Sequence, residues 1–192
     1  VRIVFALLAT LVACGCTSAF FHPQRALVAT PDLAGVRYES LALRAADGVE
    51  LIAWFMPAAG KPRATVLFLH GNAGNLLNWF VDLDFYRQAN FDLFMIDFRG
   101  YGKSTGRIES EAQLHADVRA AWDAVAPAYA GSKRVVLGRS LGSALAARLA
   151  VAVRPELTVL VSPYSSMGAL AADHYPWVPA AALRYPLATD AD

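Results

Sequence analysis

The sequence predicts an α/β fold: a mostly parallel sheet with an antiparallel hairpin at its N-terminal side. Three observations predict it. Short apolar runs at Thr65 to Leu69, Leu93 to Phe98, Val135 to Leu137 and Leu157 to Val161 have the unbroken hydrophobicity of strands buried on both faces. Each is followed by a loop and then a helical stretch, the alternation of βα units. Upstream, Val36 to Arg44 alternates apolar and polar, Ala45-Ala46-Asp47-Gly48 supplies turn chemistry, and Val49 to Met56 resumes an apolar-rich run, which reads as a hairpin.

The first segment is an address rather than part of this sheet. Val1-Arg2 is followed by an apolar run from Ile3 to Ala13 and then Cys14-Gly15-Cys16, the pattern of an export signal. Eleven residues are too few to span a bilayer as a helix, which takes about 20. Leu11-Val12-Ala13-Cys14 resembles the lipobox of bacterial lipoproteins. That resemblance implies a lipidated Cys14, with Cys16 as the alternative, and a membrane-anchored domain facing the periplasm or cell exterior. An ordinary signal peptide with a soluble secreted product is the other reading of the same run, and a cytoplasmic protein whose N-terminus packs as a core helix is a third. On this division residues 1–16 are the signal, 17–35 a Pro-containing spacer and 36–192 the domain, with 163–186 a cap or pocket segment.

Within the domain, Ser110 and Gln113 predict a capping box for a helix whose apolar residues Leu114, Val118, Ala121, Trp122 and Val125 recur at helical spacing until Pro127. His115 on that helix is expected to face solvent. A second helix is expected over Ser143 to Val153.

The 192 residues have room for about one domain. With 17 Lys+Arg against 16 Asp+Glu, the net charge of +1 recruits no nucleic acid. At 56% hydrophobic and 17% charged residues the chain is too apolar for disorder. Its 2 cysteines, both near the N-terminus, build neither a disulfide framework nor a zinc site. No metal or organic cofactor is implied.

Three loops carry the chemistry. Gly138-Arg139-Ser140-Leu141-Gly142 lies between a strand-like and a helix-like segment. That is the setting of a nucleophile elbow, in which small residues at 138 and 142 let the backbone turn tightly and present Ser140 Oγ at the sheet edge. His70-Gly71-Asn72-Ala73-Gly74-Asn75 follows a strand, and its small residues allow backbone amides to approach an oxyanion. The amides of Asn72 and Leu141 are the expected donors, with Ala73 the alternative to Asn72. His70 reads as a loop-organising hydrogen-bonder rather than a base. Asp97-Phe98-Arg99-Gly100-Tyr101-Gly102-Lys103-Ser104 ends in Gly-Lys-Ser, but a phosphate-binding loop would need glycine where Asp97 stands.

Together these loops, in this order and spacing, resemble the α/β-hydrolase superfamily in its serine aminopeptidase-like branch, over Val36 to Pro186. The resemblance implies an acyl-transfer hydrolase of an ester, thioester or peptide bond, with Ser140 as nucleophile and the Asn72 and Leu141 amides as oxyanion hole. It implies loop-shaping roles for His70, Gly71, Arg99, Tyr101, Gly138 and Gly142, and a start of the active-site cover at Ser162 to Ser166. In this superfamily the acid and then the histidine follow the serine. Only 52 residues follow Ser140, and their sole histidine, His174, stands directly after Asp173, too close for one to orient the other. The expectation is therefore a chain that carries nucleophile and oxyanion hole without acid and base, that is nearly inactive by itself, and that leaves the strand Leu157 to Val161 with a bare, aggregation-prone edge. The rival class is a non-catalytic binding or scaffold domain with the same sheet.

Overall fold

The computed structural model describes residues 21–128, 133–174, 185 and 187–189. Cys14, Cys16 and most of the expected cap, 175–184, lie outside these residues. Among them are eight strands: β1 (His22–Pro23), β2 (Glu39–Arg44), β3 (Glu50–Met56), β4 (Ala64–Leu69), β5 (Ala73–Gly74), β6 (Phe91–Ile96), β7 (Arg134–Arg139) and β8 (Leu157–Val161). The helices are α1 (Leu76–Gln88), α2 (Glu111–Ala128), α3 (Leu141–Val153) and α4 (Met167–His174). Six strands form one sheet in the order β2-β3-β6-β4-β7-β8. β2, β3 and β6 are joined antiparallel, and β6, β4, β7 and β8 run parallel.

The expected hairpin is β2 and β3, closed by the Ala45 amide on Val49 O at 2.8 Å and by Gly48 at φ 85°. Period-two alternation sorts the buried strands into two cores. Val66, Phe68, Leu93, Met95, Val135 and Leu137 face α1 through Leu76 and Phe80. Leu67, Leu69, Phe94, Ile96 and Val136 face α2 and α3, through Leu114, Val118, Trp122, Ala144, Leu145 and Leu149. β4, β6 and β7 are thus covered on both faces, as their composition predicts. β8 differs from the expected two-sided burial: Leu157 is 55% and Leu160 37% exposed, because β8 pairs with β7 alone among the described residues.

Ser110 and Gln113 form the predicted capping box, with the Gln113 amide on Ser110 Oγ at 3.3 Å and the Ser110 amide on Gln113 Oε1 at 3.2 Å. α2 runs through Pro127 to Ala128. α3 starts two residues earlier than expected, at Leu141.

Residues 21–35, expected as a spacer, are part of the domain. Phe21 is buried against Tyr185, ring centroids 5.3 Å apart, and β1 pairs in parallel with β5. Tyr185, at the end of the expected cap segment, and Leu187, just past it, are likewise core residues. None of the described helices is long and apolar enough to cross a membrane.

The topology fixes where a site can form. β4 sends its chain to α1 on one face, whereas its neighbour β7 sends its chain to α3 on the other. Adjacent strands whose outgoing connections part to opposite faces leave a crevice outside their carboxyl ends, the place where open α/β sheets bind ligands.

Candidate active site

The 70–75 loop and the turn at Ser140 follow the carboxyl ends of these two neighbouring strands, β4 and β7. β7 ends at Arg139, and Ser140 follows with φ 51° and ψ −118° before α3 begins. This is the mirror image of extended backbone, open to glycine and costly for serine. Its amide still follows the sheet, donating to Val161 O at 2.9 Å. The Ser140 side chain caps no helix amide; its carbonyl instead accepts from the Ser143 hydroxyl at 2.6 Å and the Ser143 amide at 2.8 Å.

The flanking glycines explain how so sharp a turn is packed. A Cβ at Gly138 would stand 2.2 Å from Gly142 O, and one at Gly142 would stand 2.1 Å from Leu69 O and 2.7 Å from His70 O. The start of α3 therefore lies directly on the end of β4. A Cβ at Gly71 would meet the Trp79 ring at 2.8 Å and stand 3.6 Å from Arg139 O. The loop after β4 and the turn after β7 thus lie against one another, through Gly142 and His70 O above all. The Leu141 amide is the first of α3 and has no intrahelical acceptor.

The 70–75 loop is held from several sides. His70 is fully buried, with Nδ1 2.6 Å from Gly71 O and Nε2 3.2 Å from the Phe98 amide. A carbonyl only accepts and an amide N–H only donates, so the ring is the neutral Nδ1–H tautomer with both nitrogens used. Burial pushes its pKa down to about 4. The Tyr101 hydroxyl donates to Asn72 O at 2.8 Å and approaches Asn72 Oδ1 at 3.0 Å. Asn75 caps α1 in a reciprocal box with Asn78, and the Trp79 indole N–H donates to Ala73 O at 2.9 Å. Ala73 itself is exposed and Asn72 half-buried.

The Gly-Lys-Ser turn is structural. Ser104 is buried, donates to Asp97 O at 2.8 Å and accepts from the Ile52 amide at 2.8 Å. Arg99 points away from the crevice into a buried ion network. It makes a two-pronged pair with Asp117 at 2.7 Å through both contacts and reaches Asp47 in the hairpin turn at 2.8 Å. With Arg99 2% and Asp117 0% exposed, removing Asp117 leaves the buried guanidinium with the solvent-exposed Asp47 as its remaining carboxylate. Asp117→Asn should therefore lower unfolding free energy by about 3 kcal/mol in urea melts. A loss below about 1 kcal/mol contradicts that reading.

Asp97 opens the third loop at the end of β6 and is buried. Its Oδ1 accepts the first amide of α1, from Leu76, at 3.0 Å, and burial raises its pKa to about 7. It lies 3.8 Å from His70 Nε2. The two groups pull stability in opposite directions with pH. His70, depressed from 6.5 to about 4, contributes stability above 6.5 that is lost as pH falls through 4. Asp97, raised from 3.8 to about 7, contributes stability below 3.8 that is lost as pH rises through 7. Their slopes oppose one another between about pH 4 and 6.5. Asp97→Asn removes only the second. The variant should gain on the parent by on the order of 3 kcal/mol between pH 4 and 8, and its own stability should rise from pH 4 to 6.5. Parallel pH–stability curves for the two proteins contradict this.

His115, expected to face solvent, is half-buried, with Nε2 3.1 Å from Glu111 Oε1. Desolvation lowers its pKa, and the other Glu111 oxygen accepts the Leu187 amide at 3.0 Å. His174 closes α4. Among the described residues no hydrogen bond joins Ser140 Oγ to a histidine, and no cluster of three or more His, Cys, Asp or Glu could hold a metal.

Comparison with known proteins gives the family and the fold. The family described as serine aminopeptidase, S33, a hydrolase family, matches residues 60–187. Protein bem46 of Schizosaccharomyces pombe is 36% identical over 149 residues, covering 75% of this chain and 50% of the relative. An uncharacterised protein of Mycobacterium tuberculosis is 34% identical over 180 residues, covering 88% and 64%. The chain thus spans between half and just under two-thirds of these relatives' lengths. Among solved structures, an esterase of Pyrococcus furiosus superposes with a TM-score of 0.67 at 22% identity, over 83% of this chain and 63% of that one. A lidless α/β serine hydrolase of Xanthomonas campestris gives a TM-score of 0.60 at 18% identity, over 67% and 62%. At such identities these structures establish the fold alone: an α/β-hydrolase fold.

Proposed function

The chain belongs to the serine aminopeptidase S33 family of hydrolases, and from that premise we propose that it is a serine hydrolase working by acyl transfer on an ester, thioester or peptide bond. Ser140 Oγ attacks the substrate carbonyl, and the amides of Asn72 and Leu141 receive the developing oxyanion. The observation that carries this reading is the strained backbone of Ser140 between two glycines with no room for a Cβ. A serine kept in that conformation without capping a helix is explained by a reacting hydroxyl.

Neither His70 nor His115 supplies the base. Both His70 nitrogens are engaged, and His115 is held by Glu111. The reading therefore assigns the base to neither of these two histidines and leaves base and acid to be identified. A non-catalytic binding domain is the second reading, favoured by that same lack of a base beside Ser140. Intact-mass analysis of the protein as isolated from its own cells, with whatever residues supply the base, after incubation with a panel of p-nitrophenyl esters separates them. An acyl adduct on Ser140 that is absent from Ser140→Ala supports the hydrolase, and its absence from the folded protein supports the binding domain.

The proposal extends to the address: export by the apolar run Ile3 to Ala13 and lipidation at Cys14, or at Cys16. The measurement is the mass of the N-terminal peptide from membrane fractions. A diacylglyceryl adduct is the expected result, and an unmodified cysteine contradicts it.

A further inference from the structure

The segment entering the domain is bonded to the loop that the proposed mechanism uses. The His22 amide donates to Asn72 O at 3.2 Å, and the Gln24 amide donates to Gly74 O at 3.0 Å. Gln24 O in turn accepts from the Gly102 amide at 3.0 Å, so one residue joins the 70–75 loop to the 97–104 loop. Asn75 closes the arrangement. Its side chain is 1% exposed; Nδ2 donates to Gln24 O at 3.2 Å and Ala26 O at 2.9 Å, while Oδ1 accepts the Leu77 amide at 3.1 Å. One buried amide therefore has its acceptor on α1 and its donor on a segment about 50 residues away in sequence.

The consequence reaches the crevice through peptide geometry. The Asn72 carbonyl is held by two donors, the His22 amide and the Tyr101 hydroxyl. A peptide unit is planar, so fixing that carbonyl also fixes the Ala73 amide of the same unit, the alternative to the Asn72 amide as oxyanion donor, and with it the backbone that follows Asn72. The segment 21–26 thus sets the backbone direction of the loop where an oxyanion would be met.

We infer that Asn75 is a positioning residue for the reaction at Ser140, clamping the 21–26 strap against the 71–74 loop so that the loop's amides keep a fixed direction. The inference rests on the serine hydrolase reading for what those amides meet. The clamp itself does not.

Asn75→Ser separates this role from helix capping. Serine keeps an acceptor for the first turn of α1 but cannot make the two donations to the strap. Two readouts apply: hydrogen exchange at the His22 and Gln24 amides, and the kinetics of Ser140 labelling by a fluorophosphonate. The expected result is exchange at those two amides at least tenfold faster, with the β4 amides unchanged. The maximal labelling rate should fall about tenfold while the apparent affinity for the probe stays within about twofold. Unchanged exchange at His22 and Gln24 overturns the clamp. Faster exchange with an unchanged labelling rate overturns the positioning role. Should the unsubstituted protein not react with the probe, the hydrolase reading itself falls, and the exchange comparison alone then decides the clamp.

Discussion

Replacing Gly142 by alanine is expected to destabilise the domain by about 4 kcal/mol or more, enough to leave little folded protein at 37 °C. The added Cβ would lie 2.1 Å from Leu69 O and 2.7 Å from His70 O, both backbone atoms of the sheet end and its loop. A flexible side chain could rotate away from such a contact, but these carbonyls belong to the tightly packed junction of β4 and α3. Relief would require α3 to move off the sheet, opening the core around Ala144, Leu145 and Leu149 and pulling the Leu141 amide away from the 70–75 loop. Alanine at Gly35 is the control, since a Cβ there meets nothing within 4 Å and its φ of 71° imposes only the local cost of left-handed backbone. Urea melts of the two variants check this. Equal, small losses would contradict the claim that the end of β4 and the start of α3 are in backbone contact.

The second expectation concerns Ser140 and runs in two directions at once. At φ 51° and ψ −118° its backbone occupies the mirror image of extended conformation, where glycine is unstrained. Its side chain caps no helix amide, so removing it forfeits no helix cap. Ser140→Gly should therefore raise stability by about 1–2 kcal/mol, whereas Ser140→Ala retains the Cβ and the strain and should change stability by less than about 0.5 kcal/mol. Both should abolish acylation completely. A more stable, inactive glycine variant is the signature of strain retained for function. A glycine variant no more stable than the alanine variant would show that the turn imposes no conformational cost.

The parts of this account that were legible in the sequence rest on patterns confined to a few adjacent residues. The runs that became β4, β6 and β7 are apolar enough to read as two-sided strands. Ser110 and Gln113 announce a helix start by their chemistry, and Gly138 and Gly142 bracket Ser140 in the spacing a sharp strand-to-helix turn needs. What was not legible depends on partners far apart in the chain. The strap at 21–26 is joined to the 70–75 loop mainly by backbone groups, which leave no side-chain pattern to read. Arg99 finds Asp47 and Asp117 from 52 and 18 residues away, a pairing that residue spacing does not reveal. His115 has the periodicity of an exposed position, but Glu111, one turn back, and the returning chain at Leu187 enclose it. β8 misled in the opposite sense. Its apolar run reads as interior, although its position at the end of the sheet order leaves Leu157 and Leu160 exposed. Asn75 stands between these cases: its helix-capping role follows from an Asn directly before Leu76-Leu77, but the two carbonyls it also holds become visible only in the fold.

The central claim is that the turn after β7 presents a reactive serine beside the 70–75 loop, and active-site peptide mapping tests it most directly. The protein as isolated from its own cells, with whatever residues supply the base, is treated with a fluorophosphonate and digested, and the peptide carrying the adduct is sequenced by mass spectrometry. The account predicts a single phosphonyl group on Ser140, with none on the other serines and none in Ser140→Ala. A folded protein that takes up no adduct, or takes it up at a serine elsewhere, would contradict it.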